Sequence, residues 1–230
     1  MRILFFKLLK VAHYPIQLKK LAFLLFLVFA FSHQVNALDL DKNILKQVTQ
    51  KFGKKATARL LYWQKIIVDA KGKIATEQLE ITNSFFNQVR FLSDQEHWKK
   101  EDYWATPLEM LATNGGDCED YSIAKYFTLR ELGIPDEQLK ITYVKAIQLN
   151  QAHMVLAYYP TPGAEPLILD NLINEILPAS QRKDLVPVYS FNGEGLWLSK
   201  LSSQEGKRIG NADKLKSWQE SMTRHYRLFK

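Results

Sequence analysis

The spacing of apolar residues changes from helical to strand-like near Gly133 and Pro135 of this 230-residue chain, and that change sets the fold class. Before it the period is helical. Asp41 can cap a segment with Ile44, Leu45, Val48 and Phe52 on one face, ended by Gly53. A second segment carries Leu60, Leu61, Trp63 and Ile67. A third, over residues 76–92, carries Leu79, Phe85, Phe86 and Val89. Aromatics at this spacing read as core. Thr106-Pro107-Leu108-Glu109 has the residues of a helix start: a capping threonine, a proline at the first helical position and a glutamate that can complete a capping box. Asn114-Gly115-Gly116 breaks that helix. Another begins at Asp117 and Cys118, runs through Ile123, Ala124, Phe127 and Leu132, and ends at Gly133. Beyond Pro135 short apolar runs at 140–149, 152–159, 166–170, 185–191 and 195–198 read as strands. The gaps between them leave no room for crossover helices, so the sheet should be mainly antiparallel. A last helix over 211–226 presents Leu215, Trp218, Met222 and Tyr226. Helices packed on such a sheet make an α+β domain.

Residues 1–37 do not belong to that pattern. They hold Arg2, Lys7, Lys10, Lys19 and Lys20, no acidic residue, an apolar run over 21–31, and Val35 and Ala37 before a cut. This is the layout of a secretory signal peptide. The apolar run is short against the roughly 20 residues that span a bilayer. Five of the 31 basic residues lie in this leader, leaving 26 against 24 acidic, a net of +2. The overall charge of +7 therefore gives no support for nucleic-acid binding. Residues 38–230 should form a single domain, with no linker, repeat or low-complexity tract dividing it.

Cys118 is the one cysteine, so no internal disulfide can form. An unpaired thiol in an exported chain is a candidate nucleophile, although most free cysteines are simply small buried hydrophobes. Its expected place at a helix N-terminus favours a thiolate. The adjacent glycines let a substrate approach, and free N–H groups there could hold an oxyanion. Three histidines follow the leader. His97 lies in a charged stretch and reads as solvated, and His225 lies on or beside the apolar face of the last helix. His153 lies inside a strand and is the candidate base. Asp170 closes the next apolar strand. It could orient an imidazole or form an Asx turn with Asn171. Tyr103 and Trp104 fit either the core or a cleft wall.

Asp117, Glu119 and Asp120 crowd the thiol. Carboxylates suit the first turn of a helix, yet three negative charges oppose thiolate formation. A bound cation would relieve the conflict, and hard oxygen ligands suit calcium. From the residues alone, capping and a cation site both stand.

Gly116-Asp117-Cys118-Glu119-Asp120-Tyr121, Ala152-His153-Met154-Val155 and Leu169-Asp170-Asn171 resemble, in this order, the bacterial transglutaminase-like cysteine proteinases. The likeness extends through Tyr103–Pro107, Ile123–Phe127 and Pro187–Asn192. It implies a papain-like, transglutaminase-like fold with Cys118 as nucleophile, His153 as general base and acid, and Asp170 as its orienting partner. It implies calcium as cofactor, held by the cluster Asp117, Glu119 and Asp120. The implied activity is periplasmic cleavage of a large surface adhesin between two alanines near its N-terminus, releasing it from the outer membrane and dispersing biofilm. An inner-membrane receptor for cyclic di-GMP would hold the protease inactive. Two other readings share the residues: acyl transfer to an amine, as in a transglutaminase or amidase, and a peptide-binding module with a vestigial site. The intact set of three counts against the last.

Overall fold

The computed structural model describes residues 40–198 and 206–227. The leader expected over residues 1–37 lies outside them, and the described residues belong to one compact unit. Asp41 starts helix α1 (Lys42–Phe52), accepting the Asn43 N–H at 2.6 Å, and Gly53 ends it with φ of +83°. Helix α2 (Lys54–Ala70) buries Leu60, Trp63 and Ile67 and leaves Leu61 exposed. Helix α3 (Ala75–Phe86) is shorter than the sequence pattern suggests. Asn87 closes it because the chain must turn into strand β1 (Arg90–Phe91). The Asn87 side chain donates to the Asp170 carbonyl at 2.8 Å, tying the end of α3 to the site described below.

A one-turn helix α4 (Asp94–His97) follows, capped by Ser93. Helix α5 (Pro107–Thr113) carries the expected capping box. The Glu109 N–H donates to Thr106 Oγ1, and the Thr106 N–H donates back to Glu109 Oε2. Its last carbonyls, on Leu111 and Ala112, accept from the Arg59 guanidinium, which satisfies groups that a helix end otherwise leaves orphaned. Gly115–Gly116 is more than a turn: it forms strand β2, parallel to β1.

Helix α6 (Cys118–Glu131) is buried on every side from Asp120 to Leu129. It packs against α3 and α5 and against strands β3 (Leu139–Ala146) and β4 (Gln151–Tyr158), and so lies at the centre of the domain. Trp63 donates its indole N–H to Thr128 Oγ1 at 2.9 Å, fastening α2 to it. The sheet adds β5 (Leu167–Leu169), β6 (Leu177–Pro178), β7 (Leu185–Phe191), β8 (Leu196–Leu198) and β9 (Lys207–Gly210). Their order is β6-β5-β4-β3-β7-β8-β9, antiparallel throughout. Helix α7 (Lys216–Arg227) buries Trp218 among Tyr126, Phe127 and Phe191. His225 stacks on Phe127 at 3.7 Å, and burial lowers its pKa to about 3, so it sits there as a neutral core ring. Among the described residues no helix is long and apolar enough to cross a membrane.

Candidate active site

Cys118 is the first residue of α6. Ser122 Oγ donates to its carbonyl at 2.9 Å. Its thiol donates to Glu119 Oε2 at 3.0 Å. Burial pushes the thiol pKa far up, the Glu119 and Asp117 charges push it further, and the Met154 N–H opposes them. A helix N-terminus favours an anion by about 0.3–1 kcal/mol, which is less than one pKa unit at about 1.4 kcal/mol each. The helix start alone therefore does not deliver a thiolate here.

His153 lies on β4, one of the strands that α6 packs against. Its Nε2 lies 2.8 Å from Asp170 Oδ1. Asp170 follows β5 and is 1% exposed. Oδ1 also accepts the Leu172 N–H at 3.0 Å, so the Asx turn and the imidazole contact coexist on one oxygen. Oδ2 accepts from Arg182 Nη2 at 2.6 Å. Burial raises the Asp170 pKa, but the hydrogen bond and charge of His153, the Leu172 N–H and Arg182 outweigh it and hold it at about 2. An ionised carboxylate only accepts, so Nε2 carries the proton and Nδ1 is the nitrogen left to take one.

Beside the thiol, the carboxylates of Asp94, Asp117 and Glu119 converge, with one oxygen of each within 4.8 Å of the others. Asp117 Oδ2 accepts the Asp94 N–H, and Asp94 Oδ2 accepts the Tyr103 N–H at 2.5 Å. The second oxygens, Asp94 Oδ1 and Asp117 Oδ1, are buried and have no hydrogen-bond partner. Burial and the surrounding acids raise Asp94 to about 6 and raise Asp117 as well. Orphaned, mutually repelling carboxylate oxygens are the donor set a hard divalent cation requires, and these residues fit one.

Asp120 divides its two oxygens. It is fully buried, and its Oδ1 accepts the Ala105 N–H at 2.6 Å, pinning the segment before α5 to α6. Its other oxygen lies against Gly116, where a Cβ would stand 2.6 Å away. The structure thus groups Asp117 and Glu119 with Asp94, while Asp120 ties down Ala105 through Oδ1 and leaves Oδ2 buried with no hydrogen-bond partner. Asp94 sat unnoticed in a run of charges, and no local pattern marks it. His97 is likewise not a solvated surface residue: it is half-buried, its ring bonded to Thr113 Oγ1 at 2.8 Å. Trp104 belongs to the core, stacked on Phe191. Tyr103 is half-buried and donates to Glu109 at 2.8 Å.

Helices packed on an antiparallel sheet, with Cys118 at a helix start and a buried His153–Asp170 pair on the sheet, make a papain-like, transglutaminase-like fold. The profile of the bacterial transglutaminase-like cysteine proteinases (BTLCP) matches residues 63–199, and this chain belongs to that family of cysteine proteases. Within it, the chain is similar to Legionella pneumophila LapG: 45% identity, a TM-score of 0.69, and coverage of 80% of this chain and 96% of that one. An EGTA-treated form of LapG is 46% identical, with a TM-score of 0.69 and coverage of 80% and 96%. A calcium-bound form is 46% identical, with a TM-score of 0.68 and coverage of 79% and 97%. No curated protein matches the chain.

Proposed function

We propose that this chain is a calcium-dependent periplasmic cysteine endopeptidase of the LapG type. Its substrate is the N-terminal region of a large surface adhesin, cut at a di-alanine site. The cut releases the adhesin from the outer membrane and promotes biofilm dispersal, and an inner-membrane cyclic di-GMP receptor restrains the enzyme. The leader over residues 1–37 would direct export. The observation that supports this reading is Cys118 at the start of α6, its thiol on Glu119 of an acidic trio that holds two orphaned oxygens, with a buried His153–Asp170 pair on the sheet that α6 packs against.

In the chemistry that follows, the Cys118 thiolate attacks the scissile carbonyl. His153, having taken the thiol proton at Nδ1, passes it to the leaving amine. A thioester remains on Cys118. Water then attacks it, giving its proton to His153, and the acid product leaves. Asp170 accepts the Nε2–H throughout and stabilises the charged ring. Calcium, when bound, supplies positive charge that offsets the carboxylates next to the thiol. Asp94, Asp117 and Glu119 would hold it. The second oxygens of Asp94 and Asp117 have no hydrogen-bond partner.

The test is incubation of the protein with adhesin N-terminal fragments, with and without calcium, alongside Cys118→Ala. Cleavage that needs both calcium and Cys118 is the expected result. Cleavage by Cys118→Ala would refute the nucleophile, and cleavage undiminished by a strong chelator would refute the cation. Mass spectrometry of the products separates cut peptides from cross-links, which acyl transfer to an amine would give.

A further inference from the structure

Asp170 is anchored from the side away from His153 by a buried arginine that no sequence pattern announces. Arg182 follows the 3-10 turn Ala179–Gln181 in the connection from β6 to β7, and it is 3% exposed. Its Nε donates to Asp184 Oδ1 at 3.0 Å, and its Nη2 donates to Asp184 Oδ2 at 2.8 Å. The same Nη2 donates to Asp170 Oδ2 at 2.6 Å. The planar fork is thus gripped at two nitrogens by one carboxylate and presents the second contact at a fixed angle.

Every oxygen of Asp170 is now accounted for. Oδ1 serves His153 and the Leu172 N–H, and Oδ2 serves Arg182. The titratable and charged groups facing this carboxylate are His153 from β4, Arg182 and, from α6, Lys125, whose pKa burial lowers to about 7 against the pull of Asp170. Asp184 stands behind Arg182. Without Arg182, Oδ2 would lose its one hydrogen bond and the carboxylate could rotate about χ2, a soft torsion. The Nε2 contact would then no longer be fixed.

We propose that Arg182, held by Asp184, is a positioning residue of the active site: it locks the Asp170 carboxylate in the orientation that aims Oδ1 at His153 Nε2. This rests on the reading of Cys118, His153 and Asp170 as the reactive set. Arg182 acts through Asp170 and touches no substrate atom. Its role is orientation, which small displacements of a catalytic group can make costly.

The test compares Arg182→Met, Arg182→Lys, Asp170→Asn and the double variant Asp170→Asn with Arg182→Met, all in the intact protein with calcium. Two readouts are taken. One is kcat and KM on an adhesin N-terminal fragment. The other is the proton NMR signal of the His153 Nε2–H, assigned by its absence in His153→Gln and independent of any substrate. In Arg182→Met, kcat is expected to fall roughly 10–100-fold, KM to stay within about twofold, and the Nε2–H signal to broaden away. Arg182→Lys keeps the charge but not the fork and should recover only part of kcat. Should Arg182→Met not fold, the double variant decides, because it removes both buried charges together. If Arg182 works only through Asp170, the double variant has the kcat of Asp170→Asn alone. A double variant clearly slower than Asp170→Asn alone overturns the proposal. So does a folded Arg182→Met with unchanged kcat and an intact signal. Activity that survives Cys118→Ala would instead overturn the underlying reading, so the two failures are distinct.

Discussion

Asp94 allows a test in which one substitution should move stability in opposite directions with and without calcium. Asp94→Asn removes a charge from the trio and keeps an acceptor for the Tyr103 N–H. The carboxyl is held at about 6 against an ordinary 3.8 by burial and by the neighbouring acids. That is two units, or about 3 kcal/mol at 1.36 kcal/mol each, and solvent screening reduces it to about 1–2 kcal/mol. A carboxylate with a raised folded pKa costs stability at neutral pH, and the cost fades as pH falls through the folded value. With chelator at pH 7, Asp94→Asn should therefore melt higher than the unchanged protein, by roughly 2–8 °C at 2–4 °C per kcal/mol. With calcium the order reverses. A ligand at 100 times its dissociation constant adds about 2.7 kcal/mol, or roughly 5–11 °C, and the variant with one fewer ligand should lose most of it. Thermal unfolding followed by circular dichroism, in calcium and in EGTA, reads both effects. Equal calcium-induced shifts in the two proteins would refute the trio as the cation site. A variant less stable than the unchanged protein in EGTA would refute the repulsion.

The calcium-free protein should itself gain stability between about pH 7 and pH 5, as Asp94 takes up a proton, and Asp94→Asn should gain less; denaturant melts at the two pH values check this. Gly116→Ala sets a Cβ 2.6 Å from the Asp120 carboxylate, which is buried and bonded to Ala105. It should cost about 1–3 kcal/mol. Gly115→Ala meets mainly the ends of the Leu92 and His97 side chains and should cost less, as chemical denaturation of the pair would show. Thr106→Ala removes one half of the capping box and should cost about 1 kcal/mol by the same measurement. Asp170→Asn should lower kcat with little change in KM, because it removes the partner that holds the imidazole.

What the sequence revealed was what neighbouring residues decide. The capping box at Thr106 and the helix start after Gly115-Gly116 follow from local backbone chemistry, and both are present. The third helix was overextended because Val89 continues the apolar period, while the chain actually leaves to pair Arg90 with Gly115. Strands β6 and β9 were missed: two residues in one case and a basic stretch in the other, each defined by its partner strand rather than by its own pattern. Asp94 and Arg182 share the reason they escaped notice. A charged side chain ordinarily reads as solvated, and only the folded chain shows Asp94 meeting Asp117 and Arg182 meeting Asp170.

Cys118 is, on this reasoning, a conditional nucleophile: burial and two adjacent acids hold the thiol protonated until a cation offsets them. The direct measurement is the second-order rate of Cys118 alkylation by iodoacetamide at neutral pH, in calcium and in EGTA, with the modified residue located by mass spectrometry. A rate roughly tenfold or more higher in calcium, equivalent to about 1.4 kcal/mol or more in favour of the thiolate, is expected. Equal rates in the two conditions would contradict it.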